Sequence, residues 1–225
     1  QDAEFRSQVI GRMADILEQR RDEFTAALVT EAGTPVSISR FLQVQAPIDI
    51  LRDLAQRTLV NRDRHLGVDE RVPRSESVIH YVPVGVVAAV GAYNNPLLYL
   101  ASKAVTAMAA GCTAIFIPSS LTPLTALLFG EIARDAGVPE GVLNIVAGGG
   151  EVARFLSLHP QVNKISMTGS VEVGRQVMRQ AAEGVKGVVL ELGGKSAGIV
   201  LPGADLAQLS LPLNGRYLRN AGQGC

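Results

Sequence analysis

The first part of the chain has the apolar spacing of amphipathic helices. Apolar residues recur every three or four positions through residues 2–32, which predicts one or two helices there. Gly33-Thr34-Pro35 ends this pattern, and a second helical pattern follows Pro47. Further along, the segment from Ser77 to Val84 has the composition of a strand or hairpin arm, with Pro83 at an edge.

Short apolar runs separated by helical segments make up most of the remaining chain. Uninterrupted runs of this kind are typical of strands buried in a parallel sheet. They are Val86–Val90, Ala114–Ile117, Val142–Val146, Lys164–Met167, Val188–Glu191 and Ala197–Leu201. The clearest helix between them is Pro123–Ala136, with Thr122 as its N-cap and Gly137 just past its end. This alternation predicts an α/β fold with a doubly wound parallel sheet.

Composition and charge exclude several classes of protein. The 225 residues are 47% hydrophobic and only 19% charged, which excludes a disordered, charge-rich chain. Twenty-one basic residues balance twenty-one acidic ones, so the overall charge favours neither a nucleic-acid partner nor an anionic membrane surface. We therefore expect a small-molecule ligand, no nucleic acid, no membrane and no metal site.

Two features bear on the compartment. The two cysteines, Cys112 and Cys225, are too few for a disulfide framework and indicate a reducing, cytoplasmic environment. Residues 81–102 and 104–130 carry no charge, but prolines and polar residues interrupt both stretches. A membrane span needs about 20 predominantly apolar residues, so neither stretch is interpreted as one.

Glycine-rich loops follow several of the predicted strands, where open parallel sheets bind their ligands. Gly148, Gly149, Gly150 and Ala153 form a G-x-G-x-x-A pattern that opens a helix and suits a bound phosphate, although a flexible strand-to-helix turn explains it equally well. Gly169 and Gly174 repeat the arrangement after the next strand, with the hydroxyl of Ser170 between them. The Gly193-Gly194-Lys195-Ser196 segment is not a P-loop, because Val189 stands where the first glycine is required.

Five motifs in order resemble the aldehyde dehydrogenase superfamily, from about residue 5 to the last residue. They are Pro83-Val84-Gly85-Val86-Val87, Tyr93-Asn94-Asn95-Pro96-Leu97, Met167-Thr168-Gly169-Ser170-Val171-Glu172-Val173-Gly174, Leu190-Glu191-Leu192-Gly193-Gly194-Lys195-Ser196 and Asn220-Ala221-Gly222-Gln223-Gly224-Cys225. Family members are roughly twice this length, so the resemblance implies the N-terminal part of such an enzyme, truncated at the catalytic cysteine.

The resemblance also implies a domain organisation. Residues 1–64 would be the helical start of a Rossmann-like cofactor-binding domain, and residues 65–83 an oligomerisation arm. Residues 84–191 would be the dinucleotide-binding α/β part, and residues 192–225 the beginning of an incomplete catalytic domain. The resemblance also implies that the full-length parent is a homo-oligomer, either a dimer or a tetramer.

Three residues would carry the chemistry by this resemblance. Cys225 would be the nucleophile. The alternative is a buried, inert cysteine, which is what most free cysteines are. Asn94 would stabilise the oxyanion, although an Asn before a loop proline is also an ordinary turn residue. Glu191 would activate water, and burial at the end of an apolar strand is expected to raise its pKa; the alternative is a carboxylate bonded to the backbone amides of residues 192–194. Lys103 is interpreted as structural.

A second group of residues would hold NAD or NADP. The group comprises Tyr93, Ile117, Ser120, Gly149, Gly169, Ser170, Val173, Leu192 and Gly193. Ile117 stands where the family usually has Lys, and Ser120 where it often has Glu, and both positions ordinarily contact the adenosine ribose. Without the acidic side chain nothing at residue 120 repels a 2′-phosphate, so NADP stays open beside NAD. Tyr93 replaces a common Trp, and Asn95 a common Phe.

The function implied is oxidation of an aldehyde to a carboxylic acid through a cysteine thiohemiacetal and a thioester. Two alternatives remain: a relative that releases the acyl group to coenzyme A, and a non-catalytic dinucleotide-binding or oligomerising module. Glu191 argues against the first, because a thiol acceptor makes a water-activating base dispensable. The 225-residue chain in isolation is expected to be inactive.

Overall fold

Two helices begin the chain, as the sequence predicts. The computed structural model describes residues 2–71 and 73–224, and its first elements are α1 (Ala3–Gln19) and α2 (Arg21–Ala32). The apolar positions of both helices are buried in one core. Gly33 follows α2 with a φ of 62°, the left-handed conformation that ends a helix without the steric cost of a side chain.

The next helical run starts earlier than predicted. It comprises a short turn (Val36–Ile38), a π-helical segment (Ser39–Val44) and the helix α3 (Gln45–Thr58). Pro47 lies within the first turn of α3, where its missing N–H is tolerated, so the helix begins before the proline. The hydrophobic pattern located the helix but not the π-helical segment before it.

A two-stranded hairpin follows and differs in its bounds from the predicted arm. It pairs β1 (Arg64–Asp69) with β2 (Ser75–Ile79) in antiparallel register, and nearly all its side chains are exposed. The predicted strand from Ser77 to Val84 is therefore displaced toward the N-terminus. Arg64, the first residue of β1, pairs with Ile79, so residues beyond Ile79 have no partner in this hairpin.

Five parallel strands form the main sheet, in the order β5-β4-β3-β6-β7. They are β3 (Val86–Val90), β4 (Thr113–Ile117), β5 (Leu143–Ile145), β6 (Lys164–Gly169) and β7 (Gly187–Leu192). Each matches one of the predicted apolar runs to within two residues at either end. The strand order reverses beside β3, the first strand of the sheet, which confirms the doubly wound α/β fold.

Helices cover both faces of this sheet. They are a run over residues 96–109 (α4, comprising Pro96–Tyr99, π-helical Leu100–Val105 and Thr106–Ala109), α5 (Leu124–Asp135), α6 (Gly150–Leu158) and α7 (Val171–Glu183). The larger core joins α1 to α5 with one face of β3 and β4. The smaller core packs α7 against the other face of β3 and β6. None of the described helices is long and apolar enough to cross a membrane.

The prediction of a last strand at Ala197–Leu201 is wrong. Residues 193–200 have no regular structure, and the chain continues into α8 (Leu206–Tyr217) and a short 3₁₀ turn (Arg219–Gly222). The side chains of Ile199 and Leu201 are exposed. An apolar run becomes a strand only where a neighbour supplies its backbone hydrogen bonds, and within the described chain none lies beside this segment.

The start of α5 is also corrected. The helix begins at Leu124, and the Thr122 hydroxyl donates to the Tyr93 carbonyl instead of capping the helix. The cap comes from α2: the Glu31 carboxylate accepts from the backbone N–H of Leu124 at 2.7 Å and of Thr125 at 3.0 Å. It also accepts from the Thr125 hydroxyl. Such a cap from a distant helix is invisible to local sequence rules.

Candidate active site

The loops that the sequence singles out lie along one edge of the sheet. Because all five strands of the sheet are parallel, their C-terminal ends meet at this edge. It therefore collects residues 91–95 after β3, 118–120 after β4, 146–149 after β5, 170 after β6 and 193–194 after β7. The reversal of strand order places the Asn94 loop beside the end of β6, where doubly wound sheets bind ligands.

Asn94 joins this edge to the segment that precedes Cys225. Its side chain is buried, and its Nδ2 donates to the backbone carbonyl of Gln223 at 2.6 Å. Its own backbone carbonyl accepts from Asn220 Nδ2 at 2.9 Å. Cys225 lies outside the described residues. The Asn94 amide, however, is hydrogen-bonded to Gln223, which precedes Cys225 by two residues.

Residues 220–222 form a tight left-handed turn on the way to Cys225. The φ angles are 58° at Asn220, 54° at Ala221 and 78° at Gly222. Non-glycine residues in this region cost roughly 1–2 kcal/mol each, so the surrounding contacts must hold the turn in place. Gln223 provides one of them, since its Nε2 donates to the carbonyl of Ala32 at 3.0 Å.

Gln43 provides another contact, and the sequence offered no signal for it. It lies in the π-helical segment before α3, and its buried Nε2 donates to Asn220 Oδ1 at 2.8 Å and to the Asn94 carbonyl at 3.1 Å. Its Oε1 is buried without a hydrogen-bond partner among the described residues. Gln43 therefore joins the Asn94 loop to residues 220–224, which are called the cysteine loop below because they lead to Cys225.

Glu191 is placed differently from what its sequence context suggested. It lies on β7, in register with Thr168 of β6, but β7 is the edge strand and the Glu191 side chain is exposed. The burial that the sequence predicted for Glu191 is therefore absent from the described chain. The alternative assignment is not seen either, because no hydrogen bond joins its carboxylate to the backbone amides of residues 192–194.

Lys103 is a buried lysine whose charge interacts with that of Glu191. It is buried on α4, and its Nζ donates to Ser166 Oγ at 3.2 Å on the strand beside β7. Burial lowers the pKa of the Lys103 ammonium, while attraction to the Glu191 carboxylate opposes that shift. A lysine in an apolar helix was interpreted as structural, yet it lies within electrostatic reach of the candidate base.

The start of α7 provides polar groups and a close packing contact. Ser170 caps the helix, because its Oγ accepts from the Val173 N–H at 3.2 Å. At Gly174 a Cβ would lie 2.7 Å from the methyl carbons of Leu192, so a larger residue there would require the Leu192 side chain to shift. The Thr168 hydroxyl at the end of β6 is buried and has no partner among the described residues.

The remaining predicted cofactor residues are not equivalent. Tyr93, Ser120, Gly149 and Gly193 are exposed along the open edge, and Gly169 is half-buried beside them. Ile117 differs, because its side chain is only 2% exposed at the end of β4. It therefore packs inside the protein and does not present the apolar contact at the edge that the sequence suggested. Cys112, in contrast, lies in the core as predicted.

These features are those of a nucleotide-binding α/β protein with a buried amide beside a cysteine loop. The chain belongs to the aldehyde dehydrogenase family, whose model matches residues 1–225. Many solved structures match this chain, and those described below share its fold over its whole length.

Three of these structures illustrate the similarity. An NADP-dependent enzyme from E. coli is 33% identical, with a TM-score of 0.95. Aldehyde dehydrogenase C from Pseudomonas syringae, a cysteine-to-alanine mutant solved with NAD+ and octanal, is 38% identical, with a TM-score of 0.90. An aldehyde dehydrogenase from Bacillus cereus, solved with NAD+, is 31% identical, with a TM-score of 0.95. All of this chain is covered, but only 46%, 45% and 45% of those chains, so it spans about half their length.

Proposed function

We propose that the protein carrying this chain oxidises an aldehyde to the carboxylic acid, with NAD or NADP as the hydride acceptor and Cys225 as the nucleophile. The observation that carries the proposal is the 2.6 Å hydrogen bond from Asn94 Nδ2 to the Gln223 carbonyl. It holds an amide donor beside the segment that ends in the cysteine. NAD+ and octanal in the Pseudomonas syringae relative, and NADP in the name of the E. coli enzyme, support the assignment.

The edge of the sheet fits a dinucleotide. Gly149 at the start of α6, with Gly169 and Ser170 at the start of α7, would lie against the phosphates, where exposed backbone N–H groups favour anions. The unpartnered Thr168 hydroxyl is available to a polar atom of the ligand. When bound, the nicotinamide ring supplies the chemistry that the chain lacks, which is acceptance of a hydride.

The first step falls to Cys225 and Asn94. The thiolate forms a C–S bond to the aldehyde carbon, and the carbonyl electron pair moves to the oxygen, which becomes negative. The Asn94 amide carries two protons, of which one is held by the Gln223 carbonyl and the other is available to that oxygen. Loss of one such donor typically lowers kcat by roughly 10²–10³. The oxygen electron pair then re-forms the carbonyl as the C–H bond breaks, which leaves a thioester on Cys225, and the bound nicotinamide would accept the hydride.

Hydrolysis of the thioester falls to Glu191. Its carboxylate takes a proton from a water molecule as the water oxygen bonds to the acyl carbon, and the C–S bond breaks to release the acid and the thiolate. The exposure of Glu191 on β7 is consistent with access of water from solution.

The β1–β2 hairpin is proposed to pair with another subunit. It contains the exposed apolar residues Leu66, Val68 and Ile79, and an isolated two-stranded hairpin is marginally stable in water. Addition of its free edge to the sheet of a second copy would give a homo-oligomer. Light scattering is expected to give a dimer or tetramer for the protein, and a monomer would contradict this part of the proposal.

The activity is tested with the product of the complete reading frame that encodes this chain. Formation of reduced nicotinamide is followed across a panel of aldehydes, with NAD and NADP in parallel and with coenzyme A as an added acceptor. Cys225→Ser is expected to abolish the signal, whereas Cys112→Ala, which alters the core cysteine, is expected to retain it. Reduction that survives Cys225→Ser, or its absence from a folded wild-type protein, would overturn the proposal. Activity that requires coenzyme A would reassign the acyl acceptor.

A further inference from the structure

We infer that Tyr99 is a positioning residue that orients the Asn94 amide toward the cysteine loop; this inference rests on the proposed function. Tyr99 lies on the first turn of α4, and its side chain is 8% exposed. Its hydroxyl donates to Asn94 Oδ1 at 3.0 Å. The two residues form a buried pair at the end of β3.

The direction of this hydrogen bond follows from the other partner of the amide. A backbone carbonyl only accepts, so the Asn94 atom that faces the Gln223 oxygen must be Nδ2. The opposite atom is then Oδ1, which only accepts, and the Tyr99 hydroxyl must be its donor. The Gln223 carbonyl therefore fixes the orientation of the amide, and in that orientation the Tyr99 hydroxyl is the donor to Oδ1.

The ring that carries this hydroxyl is held firmly. The Tyr99 N–H donates to the Asn95 carbonyl at 3.1 Å and closes the first turn of α4. The residue also packs near Gly91, where a side chain would lie 2.8 Å from Phe116 and 3.6 Å from the Tyr99 Cβ. Gly91 thus leaves space for two buried aromatic residues. The hydroxyl is therefore presented to Asn94 from a fixed position.

The orientation matters because the two ends of an amide have opposite polarity. With Nδ2 toward the cysteine loop, an N–H donor faces the oxygen that becomes negative. With the amide turned over, the Oδ1 dipole would face that oxygen and oppose the charge. The Gln223 carbonyl disfavours the turned state, because it would then face Oδ1 and Nδ2 would lose this acceptor. The Tyr99 hydroxyl holds the amide in the favoured position through its hydrogen bond to Oδ1. The fold thus prepares the donor before the substrate arrives.

A double-mutant cycle separates this role from a general effect on folding. Tyr99→Phe removes one hydroxyl and keeps the ring, and it is expected to lower kcat about tenfold with KM unchanged, on the scale of one buried hydrogen bond. In an Asn94→Ala background the same change is expected to alter kcat less than about twofold, because Tyr99 has nothing left to orient. Tyr81→Phe, which removes an exposed hydroxyl beyond the hairpin, is the control and is expected to leave kcat unchanged.

Equal losses from Tyr99→Phe in both backgrounds, or no loss in the wild-type background, would overturn the inference. A crystal structure of the Tyr99→Phe protein gives a readout independent of turnover. Displacement of the Asn94 amide from the Gln223 carbonyl is expected, and an unmoved amide would contradict the positioning role. A wild-type protein that oxidises no aldehyde would count against the proposed function alone, because the crystal structure still tests the orientation of Asn94.

Discussion

The Glu31 cap on α5 makes the strongest quantitative test of the fold. Glu31 on α2 accepts two backbone N–H groups and one hydroxyl at the start of α5, the helix that follows the Ser120 loop. Glu31→Ala removes all three contacts and leaves no other side chain to cap the helix. We expect the first turn of α5 to open locally while the rest of the sheet persists.

The size of the effect follows from the environment of each donor. Leu124 is exposed, so water replaces the carboxylate at its N–H at little cost. The Thr125 side chain is fully buried, so its hydroxyl loses its partner without solvent to replace it. Loss of a helix cap costs roughly 0.5–2 kcal/mol, and one unsatisfied buried group adds about 1 kcal/mol or more. The expected total is about 1.5–3 kcal/mol for local opening.

Hydrogen exchange followed by mass spectrometry measures this opening directly. A peptide covering residues 121–130 is expected to exchange roughly 10- to 150-fold faster in Glu31→Ala, since about 1.4 kcal/mol corresponds to a factor of ten. Glu131→Ala is the matched control, because it removes a carboxylate of α5 that pairs with Arg20 at 2.8 Å on the surface. Such pairs contribute about 0–1 kcal/mol. Equal exchange of the peptide in both variants would refute the capping argument.

Three further predictions concern the cofactor, the backbone and a buried charge. Ser120→Glu is expected to shift the ratio of kcat/KM for NAD over NADP upward about tenfold, because an exposed carboxylate after β4 repels a 2′-phosphate; an unchanged ratio would place the ribose elsewhere. Val185→Gly is expected to raise the free energy of unfolding by up to about 1 kcal/mol in denaturant titrations, because Val185 has a φ of 50°. Val60→Gly, at an exposed valine without positive φ, should instead lose stability. Lys103→Met is expected to raise the melting temperature at pH 7, and the gain should shrink toward pH 10.5. Burial lowers the Lys103 pKa, so the unfolded wild-type chain binds more protons in that range and wild-type stability rises with pH; a gain independent of pH would contradict this.

The sequence by itself determined the architecture of the sheet. Apolar runs from β3 to β7 predicted five of the strands, because a strand covered by helices on both faces must be apolar throughout. The parallel arrangement then placed Asn94, Ser170 and Glu191 at one edge, since parallel strands end on the same side. The sequence also predicted the helix ends at Gly33 and Gly137, because the positive φ that a helix end requires is a local property that favours glycine.

Only the tertiary structure decided how the site is held together. Asn94 and Gln223 are 129 residues apart in sequence, and Gln43 and Asn220 are 177 apart. Periodicity and turn chemistry report on neighbours along the chain, whereas these hydrogen bonds depend on how whole elements pack. The same reason explains the missed Glu31 cap, the wrongly predicted strand at residues 197–201 and the exposure of Glu191. In each case the outcome depended on which element lies alongside, and that is a property of the packed fold.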